Sequence, residues 1–112
     1  MSVRACVCGP SPDYYNTDIT TFCPNYLGAT PSVDPGIYLR TSGMTTIQNA
    51  STPTLIQHGE LDLRVPIANG YELRQGLEDN GVPTEMVVYT GYGHGITKPK
   101  SVAAVLHHNL VW

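Results

Sequence analysis

Apolar positions along the chain gather in three short continuous runs and one spaced stripe. The runs cover residues 3–8 ("VRACVC"), 54–58 ("TLIQH") and 85–90 ("EMVVYT"), and turn residues close the first two: Gly9-Pro10 and Gly59. Runs this short, bounded this way, predict strands. The stripe is Val102, Val105, Leu106 and Leu110, at helical spacing in a segment that begins at Ser101. A second helix is predicted from Pro66 through about Asp79, opened by proline and closed by Asn80-Gly81. Gly70 and Gly76 lie inside it and cost about 1 kcal/mol each against alanine. A short helix is predicted from Asp34-Pro35 to about Arg40, with Asp34 as its cap. The remainder of residues 9–50 is rich in Pro, Gly, Asn, Asp, Thr and Tyr. It reads as an irregular insert with one helical turn near "NYLG".

The order is strand, insert, strand, helix, strand, helix. Continuous apolar strands alternating with helices predict an α/β fold with parallel strands and a helix layer on each face. Residues 3–8, 54–58 and 85–90 are expected as adjacent parallel strands in that order, with the two later helices on opposite faces. In such sheets the loops leaving the carboxyl ends of the strands gather on one edge, where ligands bind. The loops holding Asp62 and His94 both leave carboxyl ends of consecutive strands, so they should be neighbours. A carboxylate that accepts from an imidazole Nδ1–H fixes the tautomer and stabilises the charged ring. His94 stands between Gly93 and Gly95, residues that let the backbone turn sharply and lift a side chain out. The competing reading is a strand that ends in a glycine-rich loop containing a histidine.

Composition narrows the classes. At 112 residues the chain holds one domain and one modest core. A formal net charge of −3 gives no case for nucleic acid or an anionic membrane surface, and no apolar run is long enough to span a bilayer. No secretory leader is evident. Three cysteines, Cys6, Cys8 and Cys23, have no framework spacing, which favours free thiols in a reducing, cytoplasmic compartment. Cys6 and Cys8 on one strand face with Cys23 could approach a metal set, but no second cysteine pair completes it, and no metal or cofactor is expected. Asn49-Ala50-Ser51 matches a glycosylation acceptor that a chain without a leader leaves idle.

Residues 52–99 carry a resemblance. Thr52-Pro53, His58-Gly59, Asp62-x-Arg64-Val65-Pro66, Gly81-Val82-Pro83 and Gly93-His94-Gly95 follow in an order and spacing similar to the end of the catalytic domain in the prolyl oligopeptidase family of serine peptidases. Residues 26–53 resemble the preceding segment more loosely, with Ser42-Gly43 where relatives usually carry Ser-Pro. The resemblance implies a partial α/β-hydrolase, with Asp62 as the triad carboxylate and His94 as general base and acid. It gives Arg64 a weaker substrate-binding role. Leu63 stands where several relatives have a second acid, which leaves Asp62 as the candidate in that loop. Glu60 reads as an exposed loop charge, His58 as packing and hydrogen bonding, and His107 and His108 as surface or core residues.

The family nucleophile sits in a GxSxG elbow, and no GxSxG occurs here. By the family's chain order that elbow and the oxyanion hole would lie upstream of Met1. The chain thus resembles the last third of a hydrolase domain. Three readings stay open: an inactive fragment acting on peptides or acyl-peptides only when complete, one half of a split enzyme, or a binding or structural module. Without its family neighbour, the strand at residues 3–8 is an unpaired edge. The expectation is a homodimer through it, or an upstream partner chain that covers it.

Overall fold

The computed structural model describes residues 13–112. It holds five α-helices, one 3-10 helix and two strands in the order α1 (Asp13–Asn16), α2 (Phe22–Leu27), α3 (Pro35–Thr41), the 3-10 helix (Gly43–Asn49), β1 (Thr54–Gly59), α4 (Ile67–Asp79), β2 (Thr84–Tyr89) and α5 (Pro99–Val111). The strands pair in parallel, in register from Thr54 opposite Thr84 to Gly59 opposite Tyr89. Of the three parallel strands expected, two lie among the described residues. The one expected at residues 3–8, with any association through it, falls outside them.

Alternating side chains of β1 show what covers each face. The Gln57 amide donates to the Val105 carbonyl (3.4 Å) and to Asn109 Oδ1 (2.9 Å), both on α5. The next residue, His58, packs its ring against Gly70 of α4, where an added Cβ would lie 3.1 Å from His58 Nδ1 and 2.8 Å from Met86 Cε. Successive strand side chains point to opposite faces, so α4 and α5 cover opposite sides, as the βαβα order requires. Gly76 plays the same part against the 3-10 helix, with a Cβ position 2.9 Å from both Met44 and Ile47. The two helix-weakening glycines are therefore contact points.

Three local expectations change. The insert is less irregular than expected: besides the predicted helix from Asp34 and turn near "NYLG", it holds α1 and the 3-10 helix; α1–α3 gather around buried Cys23 and Tyr38, with Tyr14, Leu27 and Ile37 packed on them. The Tyr38 hydroxyl donates to the Ala29 carbonyl at 2.7 Å. Periodicity is a poor guide to helices of four to seven residues, because they complete too few turns to show a face. The free-thiol reading fails for Cys23, which is disulfide-bonded. Finally, α5 starts at Pro99, two residues early, and turns its apolar stripe outward. Val102, Leu106 and Leu110 are exposed, while Ser101, Ala104, Val105 and His108 are half-buried. The Gln57–Asn109 and Tyr92–Ser101 hydrogen bonds join α5 to β1 and to the histidine loop on its inner side. Among the described residues, no helix is long and apolar enough to cross a membrane.

The short helix from Asp34 is as expected: the Asp34 carboxylate accepts from the Ile37 N–H at 3.1 Å and Pro35 opens the first turn. Asn80-Gly81 closes α4, with Gly81 at φ 69° and its N–H on the Glu78 carbonyl at 2.9 Å.

Candidate active site

β1 and β2 end level with each other, and the chain leaving each strand is stitched to the other. The Glu60 N–H donates to the Tyr89 carbonyl (3.1 Å) and the Leu61 N–H to the Tyr92 carbonyl (2.8 Å). Glu60 is exposed, as expected, yet its carboxylate accepts from the Gly91 N–H at 3.0 Å and so holds the histidine loop. The loop turns at Gly91, which has φ 76°. Gly93 and Gly95, the residues flanking His94, have no positive φ. The left-handed turn thus lies three residues before the histidine, and the flanking glycines are not what lifts it. Gly59 matters more. A Cβ there would collide with the Gly93 carbonyl oxygen and stand 2.6 Å from that of Tyr92. The two loops can touch only because β1 ends in a residue without a side chain.

This stitching brings Asp62 and His94 together across 32 residues, with Asp62 Oδ2 2.9 Å from His94 Nδ1. The carboxylate is deeply placed and the imidazole is not: their side chains are 6% and 56% exposed. The other oxygen, Oδ1, accepts from the N–H groups of Arg64 (2.9 Å) and Val65 (3.0 Å). Burial alone pushes the Asp62 carboxyl up, but hydrogen bonds from Val65, His94 and Arg64, with the His94 charge, outweigh it. The carboxyl is held below its ordinary value. An ionised carboxylate only accepts, so the proton between the two residues sits on Nδ1. In the neutral ring Nε2 then keeps its lone pair, on a side chain that is more than half exposed. Among the described residues nothing hydrogen-bonds to it. The pair is therefore an imidazole held in one tautomer by a buried carboxylate.

A second histidine touches the same loop. His58 is buried, its Nε2 lies 2.8 Å from the Val65 carbonyl and 3.6 Å from Asp62 Oδ2. A carbonyl only accepts, so this Nε2 carries a proton. The expected packing and hydrogen-bonding role for His58 matches this geometry. Arg64 is half exposed, its Nε 3.7 Å from Asp18 Oδ1. Leu61 and Leu63, on either side of Asp62, are exposed. His107 and His108 stack edge to face on α5 and take no part.

Residues 6–112 match the prolyl oligopeptidase family. The chain belongs to that family. Within it, acylamino-acid-releasing enzyme 1 of Oryza sativa subsp. japonica is 34% identical over 110 residues, covering 89% of this chain and 14% of the relative. The acylamino-acid-releasing enzyme of Arabidopsis thaliana is 29% identical over 104 residues, covering 86% and 14%. Dipeptidyl-peptidase 5 of Porphyromonas gingivalis is 35% identical over 68 residues, covering 61% and 10%. In structure the chain is similar to a puromycin-hydrolyzing peptidase of Mycobacterium tuberculosis, with a TM-score of 0.78 at 21% identity over 86% of this chain and 15% of that one. That likeness establishes a partial α/β-hydrolase fold. The chain spans about a seventh of its relatives' length, 14% of the two plant enzymes.

The depressed Asp62 carboxyl has a consequence for stability. A group whose folded value lies below its unfolded one stabilises the fold above the unfolded value of 3.8 and loses that contribution as pH falls through the folded value. Acid unfolding should therefore carry a component from Asp62 below pH 3.8. Thermal melts across that range should show Asp62→Asn with a shallower acid limb than the wild type. Parallel limbs would mean that Asp62 is not held below its ordinary value.

Proposed function

We propose that this chain supplies the carboxylate and histidine of a serine peptidase triad acting on peptides or acyl-peptides. The nucleophilic serine and the oxyanion donors come from a segment that this sequence does not contain. The observation that carries the reading is the 2.9 Å Asp62–His94 contact in a chain of this family. In the completed site Nε2 takes the proton of the serine hydroxyl as the oxygen attacks the scissile carbonyl, and Asp62 stabilises the imidazolium that forms. The same proton then passes to the leaving amine. Arg64, two residues from Asp62 and half exposed, would meet a polar or anionic group of the substrate once its contact with Asp18 opens. Names of the plant relatives point to acylated peptides, and small esters would serve as reporters.

Without a GxSxG serine, His94 has nothing to activate. The chain alone should then show no fluorophosphonate labelling and no ester turnover above buffer. Adding a segment of a relative that bears GxSxG should restore both, and His94→Ala should abolish the restored activity. Stoichiometric labelling of any serine in the isolated chain would overturn the reading. Association through residues 3–8, with a second copy or with the complementing segment, belongs to the same proposal. A monomer by light scattering with a cooperative melt would remove it. The cytoplasmic placement rested on free thiols, and the disulfide at Cys23 takes that support away.

A further inference from the structure

The loop that presents Asp62 is gripped from outside by a segment 45 residues earlier that the sequence reading passed over. The Asp18 N–H donates to the Leu63 carbonyl at 2.9 Å. The Thr17 hydroxyl donates to the Arg64 carbonyl at 2.8 Å. Thr17 is 6% exposed, and its Oγ1 accepts from the Ile19 N–H at 3.2 Å, which leaves its single proton for Arg64. These two carbonyls belong to the peptide units whose N–H groups point at Asp62. The Leu63 carbonyl shares a plane with the Arg64 N–H, and the Arg64 carbonyl shares one with the Val65 N–H. Both of those N–H groups donate to Asp62 Oδ1. In a trans peptide the two groups point opposite ways, so holding the carbonyl aims the N–H. A hydrogen bond at the carbonyl also polarises the unit and strengthens the bond its N–H makes.

We propose that Thr17, through its hydroxyl, and Asp18, through its main-chain N–H, are positioning residues for Asp62. They clamp the two peptide planes that fix Oδ1, and so aim Oδ2 at His94. Neither touches the reacting atoms. His58 holds the next carbonyl, that of Val65, at 2.8 Å. The loop is thereby held at three consecutive carbonyls by donors from two other segments. The Asp18 side chain adds little, because its contact with Arg64 is long and half exposed. This inference rests on the reading of Asp62 and His94 as the working pair.

Thr17→Val keeps the shape and removes the donor, and Thr17→Ser keeps the donor. The readouts, on the isolated chain at neutral pH, are amide hydrogen exchange at Arg64 and Val65 and the low-field proton resonance of His94 Nδ1. Loss of one hydrogen bond should speed Val65 exchange about tenfold in Thr17→Val, measured against global unfolding. The His94 Nδ1 resonance should broaden or vanish there and return in Thr17→Ser. A folded Thr17→Val chain with both signals unchanged would overturn the proposal. If Thr17→Val does not fold, the wild type decides: the Asp18, Arg64 and Val65 amides should be protected and exchange together. Unprotected Arg64 and Val65 amides beside a protected Asp18 amide would overturn it. A wild-type chain lacking the His94 Nδ1 resonance would strike the proposed function instead, and the amide measurement would still judge Thr17.

Discussion

Gly59→Ala should be the most damaging single-methyl change in the described chain. The new Cβ would collide with the Gly93 carbonyl oxygen and lie 2.6 Å from that of Tyr92 and 3.0 Å from the Gly93 carbonyl carbon. None of these is the free end of a flexible side chain, so the histidine loop must move as a whole. Moving it breaks the Leu61–Tyr92 and Glu60–Tyr89 backbone bonds that stitch the strand ends together. Overpacking a tight contact costs about 1–3 kcal/mol, and losing two backbone bonds adds about 1 kcal/mol each. Against a total of about 5–15 kcal/mol for a domain, that is a large share. The expected result is a melting temperature lowered by on the order of 10 °C or more, with loss of the His94 Nδ1 resonance. Gly95→Ala is the control, since its Cβ would meet only Thr97 Cγ2 at 3.6 Å. Equal melting of Gly59→Ala and wild type would show that the two loops do not pack as described.

Asp62→Asn should leave the fold nearly intact and disable the base. The amide oxygen can still accept from the Arg64 and Val65 N–H groups at the Oδ1 position. The amide nitrogen then faces His94 Nδ1 and donates to it, so the ring must move its proton to Nε2. A protonated Nε2 cannot accept from a serine hydroxyl. In serine peptidases that wrong tautomer lowers turnover by about 10⁴, and the same drop is expected here once a serine-bearing segment completes the site. Nitrogen chemical shifts of His94 report the tautomer in the isolated chain without any need for activity. If Nδ1 stays protonated in Asp62→Asn, this account of the pair is wrong. Asp62→Ala differs in kind: it strands two buried N–H groups at about 1–3 kcal/mol each and should unfold the loop as well.

Much of this was legible before any coordinates. Pro66 and Asn80-Gly81 bracket α4 to within a residue, because proline fixes φ and Gly81 takes the left-handed turn that ends the helix. The runs at 54–58 and 85–90 are strands to within a residue, since short apolar runs bounded by turn residues leave little alternation to misread. Parallel order then sends the Asp62 and His94 loops to one edge, where the structure brings them into contact at 2.9 Å.

Other features were hidden because their signal is not local. Apart from α3, announced by its Asp34-Pro35 cap, and the turn near "NYLG", the helices of residues 13–49 are too short to display a period. The α5 stripe was correctly apolar, but periodicity cannot say which way a helix is turned, and hydrogen bonds from Gln57 and Tyr92 join its other side to β1 and the histidine loop. The glycines beside His94 drew attention, while the one that allows the loops to meet was Gly59, an ordinary strand end until the other loop's backbone is placed against it. Thr17 and Asp18 carry no motif at all. Their importance comes from two carbonyls 45 or more residues away in sequence, and a main-chain donor leaves no trace in residue identity.

The sequence by itself determined the two described strands, the helices after them and their parallel order, because periodicity, capping chemistry and strand composition act within a few residues; its resemblance to a family singled out Asp62 and His94. Only the tertiary structure decided how Asp62 is held below its ordinary value, which tautomer His94 keeps and which face α5 shows. Those depend on hydrogen bonds between peptide groups distant in the chain, and every residue presents the same peptide group whatever its side chain.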